Sequence, residues 1–260
     1  MNRSGRSAVR CTESTEVYEA AGEVKPVLEA RGVEFNRGGC SILRGIDLQV
    51  DAGRVIGLLG PTGAGKTTMF GVLVGELQPA QGTVLLDGVE VTKLPLWRRA
   101  RMGVGYIPQT PSVLPDLDVR GNLTSFEALV GGGKRGAGYW AQVVGLEHRM
   151  GVRAGALSGG ERRLLEVARS LVAKPRVLIC DEPFAGIDPV GAMRVAETLR
   201  ARAGQGLGVL LSDHHASIAL RICDEAGLLL DGKLAVWGTP RTLAADALVK
   251  ERYLGASMDG

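Results

Sequence analysis

The sequence predicts an α/β fold with a mainly parallel core sheet, an antiparallel β-subdomain and a helical subdomain. Three observations carry this. The apolar run Val55, Ile56, Gly57, Leu58, Leu59 enters a glycine-rich stretch, GPTGAGKT, at residues 60 to 67. A second apolar run, Val177 to Cys180, ends in Asp181 and Glu182. Residues 28 to 55 and 82 to 91 read as short strands separated by turn residues such as Asp87-Gly88. Apolar runs without alternation mark strands buried on both faces, as in a parallel sheet covered by helices. Short strands with turn signals mark antiparallel sheet instead.

Taken in order, residues 1 to 26 are polar and mixed in charge and read as a disordered extension. A single folded unit follows at 27 to 256. Its first chemical feature is the phosphate-binding loop. Gly60, Gly63 and Gly65 let the backbone approach an anion, with Pro61, Thr62 and Ala64 between them, and Thr67 and Thr68 open the helix that follows. Lys66 is placed to reach the β- and γ-phosphates, and the Thr67 hydroxyl to ligate Mg²⁺. Arg98, Arg99 and Arg101 form a basic cluster that reads as a solvated helix face. Helix-compatible stretches at 119 to 130 and 139 to 146, joined by glycine-rich residues 131 to 138, define a helical subdomain over about 110 to 165.

Leu157 to Glu161 reads LSGGE, with apolar residues at helical spacing behind it. Ser158 is therefore a helix N-cap with Glu161 as its capping-box partner, and Gly159 and Gly160 leave that helix start open to an anion. The acids after Val177 to Cys180 stand where doubly wound sheets hold their ligands. Asp181 is assigned to the metal and Glu182 to the attacking water as general base. Asp188-Pro189 makes an N-cap and N1 pair for a helix beginning near Val190.

The order of these pieces resembles the ATP-binding cassette (ABC) ATPases from about Val27 to Gly255, and implies their P-loop NTPase cassette fold. Tyr106-Ile107-Pro108-Gln109 is similar to the family's Q-loop, which would make Gln109 a sensor of metal and γ-phosphate. LSGGE resembles the signature, AGIDP at 185 to 189 the D-loop, and Leu210 to His214 the strand ending in the switch histidine. The family pattern selects His214 over its neighbour His215. The resemblance implies an ATP hydrolase using ATP and Mg²⁺, working as a homodimer through a nucleotide sandwich. It also implies integral-membrane permease subunits engaged through a coupling helix, with residues 105 to 117 contributing to the receiving groove. Where the family stacks an aromatic residue on adenine, this chain has Arg37, with Phe35 as substitute if the loop shifts by two residues. LSGGERR, DEPFAGIDP and the late Tyr253-Leu254-Gly255 are similar to ATPases of lipopolysaccharide export. ATPases of branched-chain amino acid importers, or a soluble regulatory ATPase, are the alternatives.

Composition agrees with this frame. A chain of 260 residues with 45% hydrophobic content can bury one large core, and a net charge of +3 with interspersed signs gives no reason to expect nucleic acid. The four cysteines show no paired spacing, which fits reducing cytoplasm. No stretch has the apolar core of a secretory signal or the length to span a bilayer. The expectation is a cytoplasmic protein, peripheral on the inner face of the inner membrane.

Overall fold

The computed structural model describes residues 26–131, 135–213 and 216–254. The extension expected at residues 1 to 25, and His214 and His215, lie outside the described residues. Pro26, assigned to that extension, is instead the first residue of a strand.

In chain order the elements are β1 (Pro26–Arg37), β2 (Cys40–Asp51), β3 (Val55–Leu59), α1 (Lys66–Val74), β4 (Gln81–Leu86), β5 (Val89–Glu90), α2 (Leu96–Met102), β6 (Val104–Ile107), α3 (Val119–Leu129), α4 (Gly136–Val143), α5 (Gly159–Val172), β7 (Val177–Asp181), α6 (Pro189–Ala203), β8 (Gly208–Asp213), α7 (Ala216–Ile222), β9 (Glu225–Leu230), β10 (Lys233–Gly238), α8 (Pro240–Ala245) and α9 (Ala247–Val249). They form two sheets. A four-stranded antiparallel sheet has the order β2-β1-β4-β5, and a six-stranded sheet has the order β10-β9-β3-β8-β7-β6. The latter is parallel except for β10, which pairs antiparallel with β9.

The non-alternating apolar runs are explained by burial on both faces. In β3, Val55 and Leu59 point into the cluster beneath α5 and α6, while Ile56 and Leu58 point to the opposite side with α1. In β7, Leu178 and Cys180 face the first cluster and Val177 and Ile179 the second. Helix α1 is wedged between the two sheets, with Met69, Phe70, Val72 and Leu73 fully buried. A helix apolar all round is expected in that position.

Three features differ from the sequence expectation. The segment read as several short strands is one long hairpin, β1 and β2, because Gly32 and Gly45 adopt positive φ within the strands and the register shifts there absorb them. Helix α4 begins at Gly136, inside the stretch read as a glycine connector. Arg99, read as part of a solvated face, is completely buried. Its guanidinium donates to the carbonyls of Val72 and Leu73 at 2.7 Å, of Thr92 at 2.8 Å and of Leu94 at 2.9 Å. It thus closes the C-terminus of α1, where cations are favoured. Burial lowers its pKa to about 10, which leaves it charged at neutral pH.

Candidate functional site

The phosphate loop joins β3 to α1, and its glycines are needed for different reasons. A Cβ on Gly60 would lie 2.3 Å from the Leu229 carbonyl oxygen of β9, so the loop has no room for a side chain there. Gly63 has open space but φ of 82°, which L residues rarely adopt. Gly65, at φ 110°, is the N-cap of α1, and a Cβ there would meet Leu43 and the Ile42 carbonyl. The helix start carries no side-chain cap and no acid in its first turn, so its N–H groups remain available for phosphate oxygens. Pro61, Thr62 and Thr67 are exposed, Thr68 is half-buried and Ala64 is buried.

Lys66 is 6% exposed and folds back over the loop, donating through Nζ to the carbonyls of Gly60 at 2.6 Å and Pro61 at 3.0 Å. Burial lowers its pKa, opposed by the charges of Glu182, Asp181 and Asp213. The lysine and the acids of β7 and β8 thus share one electrostatic site. Asp181, fully buried, accepts from Ser212 Oγ at 2.6 Å through Oδ1, while its Oδ2 has no hydrogen-bond partner among the described residues. A buried carboxylate oxygen without a donor fits a cation or its bound water. No group of three or more His, Cys, Asp or Glu forms a metal cage among the described residues. That donor set suits Mg²⁺, which keeps most of its waters and binds through few protein oxygens.

Glu182 has φ of 48°, a conformation stabilised because its N–H donates to both the carbonyl and Oγ of Ser212, each at 3.1 Å. Its Oε2 accepts from Gln109 Nε2 at 2.8 Å. The residue assigned as general base and the residue assigned as sensor therefore touch directly, although 73 positions separate them. Asp213 braces the same segment by accepting from the Phe184 N–H at 3.2 Å. Arg37 is exposed at the end of β1, its guanidinium 5.7 Å from the Phe35 ring centroid. The two candidates for base stacking thus lie on one another, at the hairpin end whose Ile42 and Leu43 contact Gly65.

The LSGGE segment folds as a reciprocal capping box. Ser158 Oγ accepts from the Glu161 N–H at 3.2 Å, and Glu161 Oε2 accepts from the Ser158 N–H at 2.9 Å. The Ser158 backbone donor, together with Arg149 at 2.8 Å from Glu161 Oε1, holds the carboxyl below its ordinary range. The glycines permit close packing on the D-loop. A Cβ on Gly159 would lie 2.8 Å from Ile187 Cγ2, and one on Gly160 2.8 Å from Gly191 Cα. Asp188 caps α6 beside them by accepting from the Gly191 N–H at 2.9 Å.

Sequence reading missed a polar latch between α5 and the Q-loop. Arg163 donates to Glu166 Oε2 at 2.7 Å and to the carbonyls of Pro108 at 3.0 Å and Gln109 at 3.4 Å. Glu166 Oε1 accepts from the Ser112 N–H and from its Oγ, and Arg169 donates to the Ser112 carbonyl. All three side chains are buried. The available signal was their spacing at i, i+3 and i+6, which puts them on one helix face.

The ABC transporter family model matches residues 43 to 185. The chain belongs to the ABC transporter ATPase family. This ABC ATPase binds and hydrolyses ATP. It is 40% identical over 218 residues to the lipopolysaccharide export system ATP-binding protein LptB of Acidithiobacillus ferridurans, covering 82% of this chain and 90% of that one. It is 37% identical to LptB of Escherichia coli K12, covering 84% and 92%. The ADP conformation of the ATP-binding cassette MJ1267 superposes with a TM-score of 0.80 at 25% identity, covering 88% and 99%. No helix among the described residues of the ABC ATPase is long and apolar enough to cross a membrane.

Proposed function

We propose that the chain is the ATP-hydrolysing subunit of a transporter that exports lipopolysaccharide from the inner membrane, acting as a homodimer beneath a pair of permease subunits. The observation that carries the hydrolytic reading is the convergence of Lys66, the unpartnered Asp181 Oδ2 and the Gln109–Glu182 pair at the ends of β3, β6 and β7. The export reading rests on the likeness to LptB proteins over more than four-fifths of the chain.

In this reading Lys66 leaves the loop carbonyls to meet the β- and γ-phosphates, which the N–H groups opening α1 also receive. Thr67, Asp181 and Gln109 would hold Mg²⁺, which when bound would supply positive charge to the phosphate oxygens. Glu182 accepts a proton from water as its oxygen bonds to the γ-phosphorus. The bond from that phosphorus to the bridging oxygen breaks, and ADP leaves with the electron pair. Gln109 orients the Glu182 carboxylate, and His214 is assigned the hydrogen bond to the γ-phosphate. Arg37 is assigned to the adenine face, where a guanidinium can stack. The phosphate loop and the Ser158–Gly160 helix start then belong to opposite faces of the nucleotide, one from each copy. Permease subunits are assigned to the surface after Gln109, where Leu114 and Leu117 are 42% and 38% exposed. The protein would then sit on the cytoplasmic face, held there by its partners.

Two experiments test this. Glu182→Gln is expected to bind ATP and dimerise while hydrolysing it at least a hundredfold more slowly; normal turnover refutes the general-base role. A tagged copy recovered from gently solubilised membranes should carry permeases of the lipopolysaccharide-export type. Amino acid importer permeases, or no membrane protein, would overturn the transport assignment.

A further inference from the structure

A basic cleft of ≈ 410 Å³ lies at the opposite end of the strands of the six-stranded sheet from the phosphate loop. It is walled by residues immediately before β7 and β8, whereas the phosphate loop follows the C-terminal end of β3. Arg135, Lys174, Arg176 and Arg202 line it, and no acidic residue does among the described residues. Its floor is apolar and aromatic, with Trp140 5% exposed and Tyr139 at its edge beneath the Arg135 guanidinium. Arg176 pairs with Asp87 at 2.9 Å. Lys174 and Arg202 make no ion pair among the described residues, and Arg202 Nε is buried without a hydrogen-bond partner. A buried guanidinium N–H with no acceptor calls for one from outside the described fold. Apolar floor and cationic walls together select a ligand with carboxylates spaced among apolar groups.

The chain supplies such a ligand next to the cleft. Between Arg10 and Lys25 the only charged residues are Glu13, Glu16, Glu19 and Glu23, interleaved with Val17, Tyr18, Ala20 and Ala21. Val27 itself lines the cleft. At ~3.3 Å per extended residue, Glu23 lies within ~13 Å of Val27 and Glu13 within ~46 Å, so every glutamate has the reach. A tether this short gives an effective concentration on the order of millimolar, so weak individual ion pairs suffice.

We propose that the segment Glu13 to Glu23 docks in this cleft, its glutamates on Lys174, Arg202 and Arg135 and its apolar residues on the Trp140 floor. Because α4 forms one wall and the end of α6 another, the docked segment clips the helical region to the core sheet. This is independent of the transport assignment and of the catalytic roles given above.

The test uses the full chain at low ionic strength. Zero-length carbodiimide coupling, followed by peptide mapping, should give an intramolecular isopeptide bond between Lys174 and one of the four glutamates. Arg135→Glu with Arg202→Glu should reduce its yield at least fivefold. Since those changes disturb the folded unit, a second variant leaves the cleft intact. In the combination of E13Q, E16Q, E19Q and E23Q, amide hydrogen exchange across α4 and residues 173 to 176 should be several-fold faster than in the parent. Docking is overturned by absence of the link, by links found only between two chains, or by exchange rates equal in parent and variant. It is also overturned if phosphatidylglycerol vesicles, and not the segment, lose binding when the cleft charges are reversed.

Discussion

Replacing Arg163 by Met isolates the latch between α5 and the Q-loop. The change removes a buried cation and leaves the Glu166 carboxylate, whose side chain is 3% exposed, without its charge partner. Breaking one partner of a buried pair costs about 3–5 kcal/mol. The Ser112 N–H and hydroxyl still donate to Glu166, which places the expected loss near the lower end, about 3 kcal/mol. At about 2–4 °C per kcal/mol for a protein of this size, the midpoint of thermal unfolding should fall by about 6–12 °C. The double change Arg163→Met with Glu166→Met replaces the pair by apolar volume and should return to within about 1 kcal/mol of the parent. Urea denaturation of the four-member cycle gives the coupling directly; it should exceed about 2 kcal/mol, because the double variant recovers about that much of the R163M loss and E166M, which strands a buried Arg163, is itself destabilised. A loss below about 1 kcal/mol in R163M, or a double variant as unstable as the sum of the singles, would refute the latch as a desolvated pair.

Other expectations follow from single contacts. Glu161 has a folded pKa held below its ordinary 4.5, so its contribution to stability is present above that value and lost as pH falls through the folded value. Glu161→Gln should therefore be destabilised at neutral pH, with the gap to the parent closing below about pH 4.5; a gap independent of pH in urea titrations refutes the capping assignment. Gly160→Ala forces backbone apart at Gly191 and should cost about 1–3 kcal/mol. Gly151→Ala, with open space around it, is the neutral control, and equal midpoints for the two variants would contradict the contact. Arg99→Met strips donors from carbonyls at the end of α1 and should cost about 3 kcal/mol or more. Arg99→Lys should restore only part of this, because an ammonium lacks the planar fork. Full restoration on thermal unfolding would reduce Arg99 to a point charge.

What the sequence disclosed and what it concealed divide along the range of the interactions. The phosphate loop, the capping box and the acids after β7 were legible because each is written in adjacent residues whose backbone does the work. The Asp87-Gly88 turn was legible for the same reason. Asp231-Gly232 carries an equal signal, with φ of 47° and 77°, and announces the β9–β10 hairpin that the sequence reading passed over. Arg99 was misread because nothing local separates it from Arg98 and Arg101. Its partners Val72 and Leu73 lie 27 and 26 positions away, and only the fold brings those carbonyls to it. Arg163, Glu166 and Arg169 were hidden likewise, since their acceptors and donors on the Q-loop lie 54 to 57 positions back along the chain.

Those three residues give α5 a mechanical meaning that neither of its ends has alone. The helix has 14 residues, about 21 Å at 1.5 Å per residue, and a well-packed helix of that length moves as a rod. Its N-terminus is the Ser158–Glu161 box packed on the D-loop, its middle grips Pro108, Gln109 and Ser112, and its last turn contributes Leu171 to the basic cleft. A displacement imposed on Gly159 or Gly160 must therefore reach the Q-loop backbone unless the latch gives way, and Gln109 passes it to Glu182 through a hydrogen bond of 2.8 Å. The apolar pair in R163M with E166M keeps the rod and removes the grip, so it separates stability from transmission. If stability returns while ATP hydrolysis does not, the polar character of the latch is required to hold Gln109 against Glu182. If both return, shape alone carries the displacement.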